Sequence, residues 1–184
     1  MSRQVHVLEI GALRRELPLF QVKPGLSIAV LNILGDVELV EAAAEELAPR
    51  IKSINPGALV TPEAKSIPLA YALAARLQLP YVVLRKSYKS YMGDALSVRT
   101  HSITTGTQQS LYLDEKDRQL IHDAPIALVD DVVSTGSTLN AMRSLMQRAN
   151  ARVVAETAIC TEGNPQEWPD VIALGHLPLF TDDA

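Results

Sequence analysis

The chain has 184 residues, a formal net charge of −4, 47% apolar residues, 4% aromatics and a single cysteine. The length suits one domain with a sizeable core, and the apolar fraction excludes wholesale disorder. One cysteine excludes an internal disulfide or a multi-cysteine zinc site and points to a reducing cytoplasm, while mild acidity gives no reason to expect nucleic acid or membrane as partner yet permits a local basic pocket.

The opening stretch, MSRQVHVLEIGALRRELPLF, has no apolar core behind a basic start and is not expected to be a signal peptide. Residues 1–35 hold short strand-like pieces, VHVLEI, LPLFQV and SIAVLNI, separated by Pro and Gly, and are expected to form a small cap. Asp36 then reads as the N-cap of a helix over Val37–Ile51, where Leu39, Val40, Ala43, Leu47 and Ile51 recur at spacings of three and four. Ala58–Thr61 reads as a strand, and Ile67–Leu77 as a helix that stops before Leu79-Pro80. Tyr81–Leu84 is a second strand. Residues 86–110, KSYKSYMGDALSVRTHSITTGTQQS, are polar and long for a connection, so they are expected to be a lid or hairpin, or else a disordered loop. Ile126–Val129 and Val153–Cys160 are further strands, with a helix over Thr138–Ala149 between them. The C-terminal DVIALGHLPLF is expected to add a last strand or close the cap.

Several of these strands lack polar alternation, as strands covered on both faces do. No apolar run approaches the ~20 residues of a membrane helix. The strand–helix alternation predicts a single α/β domain over 1–184 with a parallel sheet, a core over 36–160, a cap from 1–35 and the C-terminal segment, and a lid over 86–110.

The most informative string is LVDDVVSTGST, Leu128 to Thr138. An apolar strand ends in Asp130 and Asp131, a loop of small hydroxyl residues follows, and a helix begins. Carboxylates at the C-terminal edge of such a strand face the crevice where α/β sheets bind ligands, and they suit the vicinal hydroxyls of a ribose. The amides of Ser134, Thr135, Gly136, Ser137 and Thr138 lie at a helix start, where free N–H groups and the dipole favour an anion. The unit reads as a ribose 5-phosphate cradle. It is not a Walker loop, because no GK[ST] is present.

A second helix start, Thr61-Pro62-Glu63-Ala64-Lys65-Ser66, follows the Ala58–Thr61 strand and again offers free amides. Arg85, Lys86 and Lys89 cluster after the Tyr81–Leu84 strand. Cations there can concentrate an anionic substrate despite the acidic net charge. Tyr88 and Tyr91 either cover such a site or pack as loop anchors. Cys160 reads as a core residue, and His6, His101, His122 and His176 lack metal-ligand spacing. Trp168 reads as packing or cap closure.

VDDVVSTGST resembles the phosphoribosyl-diphosphate signature of the type I phosphoribosyltransferases, and the order of elements from about Glu16 to about Cys160 looks most like the adenine branch, with some likeness to xanthine enzymes. The resemblance implies a Rossmann-like parallel-sheet core with a hood and a flexible lid. It implies that Asp130 and Asp131 hold the ribose hydroxyls, directly or through Mg²⁺, and that Ser134 to Thr138 hold the 5-phosphate. Ala64, Lys65, Ser66, Arg85, Lys86 and Lys89 fall to the diphosphate, and Asp130, Asp131 and Lys86 to catalysis. The base pocket falls to Leu26, Ile28 and Val133.

The implied reaction moves phosphoribose from phosphoribosyl diphosphate to a purine base, adenine favoured, in purine salvage by a cytoplasmic homodimer. Xanthine, guanine or another base, or a diphosphate-sensing protein with little catalysis, remain alternatives. This sequence departs from the adenine pattern in four places. Thr104 stands where adenine enzymes usually carry a lid acid, and Lys65 where they typically carry Arg. Ser137 replaces a frequent Gly, and Pro24-Gly25 leads into uncharged Leu26-Ser27-Ile28 rather than an Arg-Asp pair.

Overall fold

The computed structural model describes residues 4–101 and 108–181, with the side chains of 100, 101, 108 and 109 outside that description. A five-stranded parallel sheet forms the centre, in the order β10-β9-β8-β4-β5. Its strands are β4 (Ala58–Pro62), β5 (Tyr81–Leu84), β8 (Pro125–Val133), β9 (Arg152–Glu162) and β10 (Val171–Leu177). An antiparallel hood of β1 (Val5–Ile10), β2 (Leu13–Lys23) and β3 (Leu26–Ala29) is completed by β11 (Phe180–Thr181). The C-terminal segment therefore does both things expected of it as alternatives: β10 extends the core sheet and β11 closes the hood.

The helices are α1 (Val37–Lys52), α2 (Ile67–Leu77), α3 (Glu115–Ile121) and α4 (Ser137–Arg148). The strand β8 shows why the sheet is covered on both faces. Ala127 and Val129 pack with the hood, α1 and α2, while Ile126 and Leu128 pack with α3, α4 and the hairpin described below. Period-two alternation thus sends apolar side chains to two separate cores, which leaves no polar position in the run.

Asp36 caps α1 as its sequence position implies: its carboxylate accepts the Leu39 N–H at 3.0 Å. It also pairs with Arg15 of β2 at 2.8 Å, which ties the hood to the core. That guanidinium, with the Leu39 N–H, holds the Asp36 carboxyl below its usual range. The stabilisation is therefore present above the ordinary carboxylate pKa and is lost as pH falls through the depressed value. Asp36→Ala removes the cap, a loss of about 1 kcal/mol. Thermal denaturation is expected to show a Tm roughly 2–4 °C lower at neutral pH, with a smaller gap in acid.

Two differences from the predicted elements have physical causes, and a hairpin, one of the options for 86–110, is present between them. The strand β8 does not end at Val129; it continues through the acids to Val133, because β9 runs alongside with Asp130 opposite Ala158 and Val132 opposite Cys160. The strand β6 (Leu96–His101) pairs antiparallel with β7 (Gln108–Leu113), and Leu96, Val98, Leu111 and Leu113 pack against the α4 side of the core. Residues 102–107, Thr104 among them, lie outside the described residues. Helix α3, capped by Asp114, was not expected; it is seven residues long and buries only Ile121. No helix among the described residues is long and apolar enough to cross a membrane.

Candidate active site

Two loops leave the C-terminal ends of neighbouring parallel strands and meet over one cleft of about 190 Å³. Glu63, Ala64, Lys65 and Ser66 come from the loop between β4 and α2, Asp130, Asp131 and Val132 from β8, Lys86 from beyond β5, Leu111 from β7 and Thr138 from α4. A smaller adjoining cavity is lined by Val133 to Leu139 and shares Asp130, Val132 and Thr138 with the first.

The acids are consecutive in β8 and both line the cleft, yet they are unequal in burial. Asp130 is 7% exposed and Asp131 is half-buried. The Asp130 carboxylate accepts the Asp131 N–H at 2.9 Å. Burial pushes its pKa well above the usual range, and the neighbouring Asp131 charge adds to the effect. An adjacent pair of carboxylates of this kind attracts protons, a cation, or hydroxyl donors, each of which lessens the cost of the buried charge.

The loop after β8 enters α4 through Gly136, whose φ is +71°. Its carbonyl accepts the Asn140 N–H at 2.8 Å, so the amides of Ser137, Thr138 and Leu139 open the helix without intrahelical partners. The Thr135 hydroxyl donates to Ser137 Oγ at 3.3 Å. The ring of Trp168 lies directly on Gly136: a Cβ there would stand 2.9 Å from Cζ3 and nearer still to Cη2.

The loop after β4 is held from both sides. The peptide bond Glu63–Ala64 is cis. The Ser66 hydroxyl donates to the Pro62 carbonyl at 3.1 Å and accepts from Thr61 at 2.9 Å, which fixes its side chain at the cleft wall beside Asp130. The Glu63 carboxylate accepts the Lys86 N–H at 2.9 Å and pairs with Arg85 at 3.2 Å; these hold its pKa below the ordinary value, the amide foremost.

Of the cations expected at the diphosphate, the structure brings Lys65 and Lys86 to the cleft and leaves two outside its lining. Arg85 is engaged by Glu63 and its side chain lines a separate cavity with Tyr91 and Asp117. Lys89 is exposed, its amide directed at Met92 Sδ. The expected base contacts do not converge either. Leu26 and Ile28 pair with Thr181 and Phe20 in the hood and line neither cavity. Val133 lines only the smaller cavity and packs on the α4 side of the sheet, whereas Val132 lines both cavities and packs with the hood-side core. Tyr88 packs as an anchor, its hydroxyl donating to the Gly93 carbonyl at 3.1 Å, and Tyr91 is 71% exposed; neither lines the cleft.

Residues 30–173 match the family model of the phosphoribosyl transferase domain. The chain belongs to the type I phosphoribosyltransferase family. Among relatives, it is 33% identical over 160 residues to a xanthine phosphoribosyltransferase of Chloroflexus aurantiacus, covering 83% of this chain and 74% of that one. It is 28% identical over 133 residues to the purine biosynthesis transcriptional repressor PurR of Bacillus subtilis, covering 72% of this chain but only 46% of the repressor. The adenine phosphoribosyltransferase of Thermoanaerobacter pseudethanolicus superposes with a TM-score of 0.72, covering 87% of this chain and 95% of that one; at 21% identity this likeness concerns the fold. The chain spans 64% of the hypoxanthine/guanine phosphoribosyltransferase of Methanococcus voltae.

Residue patterns do not announce four contributions to this site: Glu63 as the tie between loop and strand end, Leu111, Val132, and Trp168, whose packing falls on the loop before α4 and not on the cap. Glu63 was visible in TPEAKS, and Val132 follows from strand alternation once β8 is known to continue. Leu111 and Trp168 arrive through distant pairings that no local pattern announces. Behind the acids, Cys160 is 0% exposed, and burial, with the Asp131 charge, pushes its thiol up to about 12. The native phosphoribosyltransferase is expected to give no reaction with a thiol-titrating disulfide reagent at pH 8, and to react fully once unfolded in guanidinium.

Proposed function

We propose that this phosphoribosyltransferase moves the phosphoribosyl group of phosphoribosyl diphosphate to a purine base, adenine favoured, releasing pyrophosphate. The observation that carries the reading is that two helix-start loops line two adjoining cavities that share Asp130, with Asp131 beside it in the larger. The Ser134–Thr138 amides and hydroxyls receive the 5-phosphate. Asp130 and Asp131 accept from the ribose hydroxyls. The amides of the 63–66 loop, with Lys65 and Lys86, receive the diphosphate as it leaves. The C1–oxygen bond to diphosphate breaks, a bond from C1 to base nitrogen N9 forms, and N9 loses its proton. The chain's contribution is alignment of the two substrates and stabilisation of the charge that leaves.

Magnesium fits this donor set. Among the described residues no group of three or more His, Cys, Asp or Glu side chains is arranged to hold a metal. Two adjacent carboxylates are what Mg²⁺ uses when substrate oxygens and water complete its shell. When bound there, it supplies neutralisation of diphosphate charge. Assembly as a homodimer and a place in purine salvage in the cytoplasm belong to the same proposal and rest on family likeness.

A second reading, a diphosphate sensor with little turnover, draws support from the match to a transcriptional repressor. Incubation with phosphoribosyl diphosphate, Mg²⁺ and each of adenine, hypoxanthine, guanine and xanthine, followed by separation of nucleotides, tests both. Nucleotide from adenine is the expected result. Turnover with another purine alone reassigns the base, and diphosphate binding without any nucleotide selects the sensor.

A further inference from the structure

We infer that Trp168 is a positioning residue for the 5-phosphate loop, acting through Gly136. The inference rests on the reading of Ser134–Thr138 as the phosphate site.

The segment between β9 and β10 carries this indole onto the loop. It is tied down at several points. The Gly163 amide donates to the Leu177 carbonyl at 3.1 Å, and the Asn164 side chain accepts the Gln166 amide at 3.1 Å. Beyond the tryptophan, the Val171 amide donates to the Trp168 carbonyl at 3.3 Å. Asp170 adds its charge to that of Glu156 around Arg143 on α4. A segment anchored at both ends presents a ring that cannot withdraw freely.

The ring then decides the shape of the loop. Its Cη2, Cζ3 and Cζ2 atoms occupy the space a side chain at Gly136 would need. Gly136 is the residue at which the chain turns from strand into helix, in the left-handed region at φ +71°. With the indole against it, this backbone has nowhere to relax toward the strap, and the amides that follow stay directed into the smaller cavity. The indole N–H is buried without a hydrogen-bond partner among the described residues. The ring thus contributes shape rather than a polar contact, an arrangement with an evident cost for the unpaired donor.

Because Trp168 is the sole tryptophan, its emission reports on the same contact. Titration of ribose 5-phosphate into wild type and Trp168→Ala by calorimetry, with inorganic pyrophosphate as a second ligand for the 63–66 loop, tests the assignment. Wild type is expected to bind ribose 5-phosphate with a change in tryptophan emission at the same midpoint. Trp168→Ala is expected to bind it roughly tenfold or more weakly, as loss of an aromatic anchor does, with pyrophosphate affinity unchanged. Equal ribose 5-phosphate affinity in the two proteins overturns the inference while leaving the phosphate site in place. So does equal weakening for both ligands. Failure of wild type to bind ribose 5-phosphate overturns the site and the inference together. If Trp168→Ala does not fold, wild-type emission decides, and emission unaltered at saturation refutes the role.

Discussion

Replacing Asp130 and Asp131 together by asparagine is expected to lower kcat/KM for phosphoribosyl diphosphate by roughly 10²–10⁴-fold, the consequence of losing two charge-assisted hydrogen bonds worth about 1.5–3 kcal/mol each. Asparagine keeps the volume and leaves the backbone pairing of β8 with β9 in place, so the loss belongs to the ligand and not to the fold. Stability is expected to move the opposite way. In the metal-free protein the buried Asp130 carboxyl titrates well above its usual range. The folded chain therefore holds that proton more tightly than the unfolded chain does. Stability is highest below the ordinary carboxylate pKa and falls as pH rises toward the elevated one. Asp130→Asn removes the buried charge, so in the presence of a chelator its Tm should exceed that of wild type at pH 7, with the advantage shrinking toward pH 4. Steady-state kinetics and pH-dependent melting check the two halves. A variant that is less active and more stable is the signature of a carboxylate placed for binding at a cost to the empty protein.

Gly136→Ala is the second large effect. An L-residue at φ +71° costs roughly 1–2 kcal/mol. The new methyl would also stand within 2.9 Å of Trp168 Cζ3, and relieving the overlap costs roughly 1–3 kcal/mol more. The variant is expected to melt roughly 4–20 °C below wild type. Ribose 5-phosphate affinity should fall as well, because the only relief available moves either the loop or the indole. Melting by circular dichroism and calorimetric titration measure both. A double variant, Gly136→Ala with Trp168→Ala, should regain part of the lost stability, since the overlap is then gone and only the backbone term remains.

Much of the fold was legible from residue patterns. Buried strands appear as unbroken apolar runs, and helices carry their apolar residues at three and four, because a covered parallel sheet leaves no polar face. Asp36 could be read as a cap since it immediately precedes such a run, and the ion pair with Arg15 is the tertiary reinforcement of that local choice. The acids of β8 misled in one respect. Charged residues usually mark a strand's end, but here the ladder to β9 continues past them, since a binding strand must carry polar groups where the ligand lies. A hairpin was one option for 86–110, but its strands could not be placed: Leu96, Val98, Leu111 and Leu113 alternate correctly, while polar neighbours dilute the pattern.

The site was legible in its loops and less so in its side chains. Lys65, Lys86, Asp130, Asp131 and Thr138 line the cleft, since each follows directly from where its strand ends. Arg85 falls to the diphosphate by its place at a strand end and by family likeness; the structure pairs it with Glu63, across 22 residues that no spacing rule contains. Val133 falls to the base pocket by family likeness alone; it lines the smaller cavity and packs with the α4-side core, while Val132 lines both cavities. Leu26 and Ile28 belong to the hood, where sheet register and not proximity to Pro24-Gly25 sets their surroundings.

The two helix-start loops and the acids between them are proposed to act as one site for phosphoribosyl diphosphate, which calorimetric titration of that ligand with Mg²⁺ into the protein, repeated with Asp130→Asn/Asp131→Asn, tests. Saturable binding by wild type at one ligand per chain, displaced by ribose 5-phosphate and lost in the double variant, is the predicted result. Absence of binding by wild type, or wild-type affinity in the double variant, would contradict it.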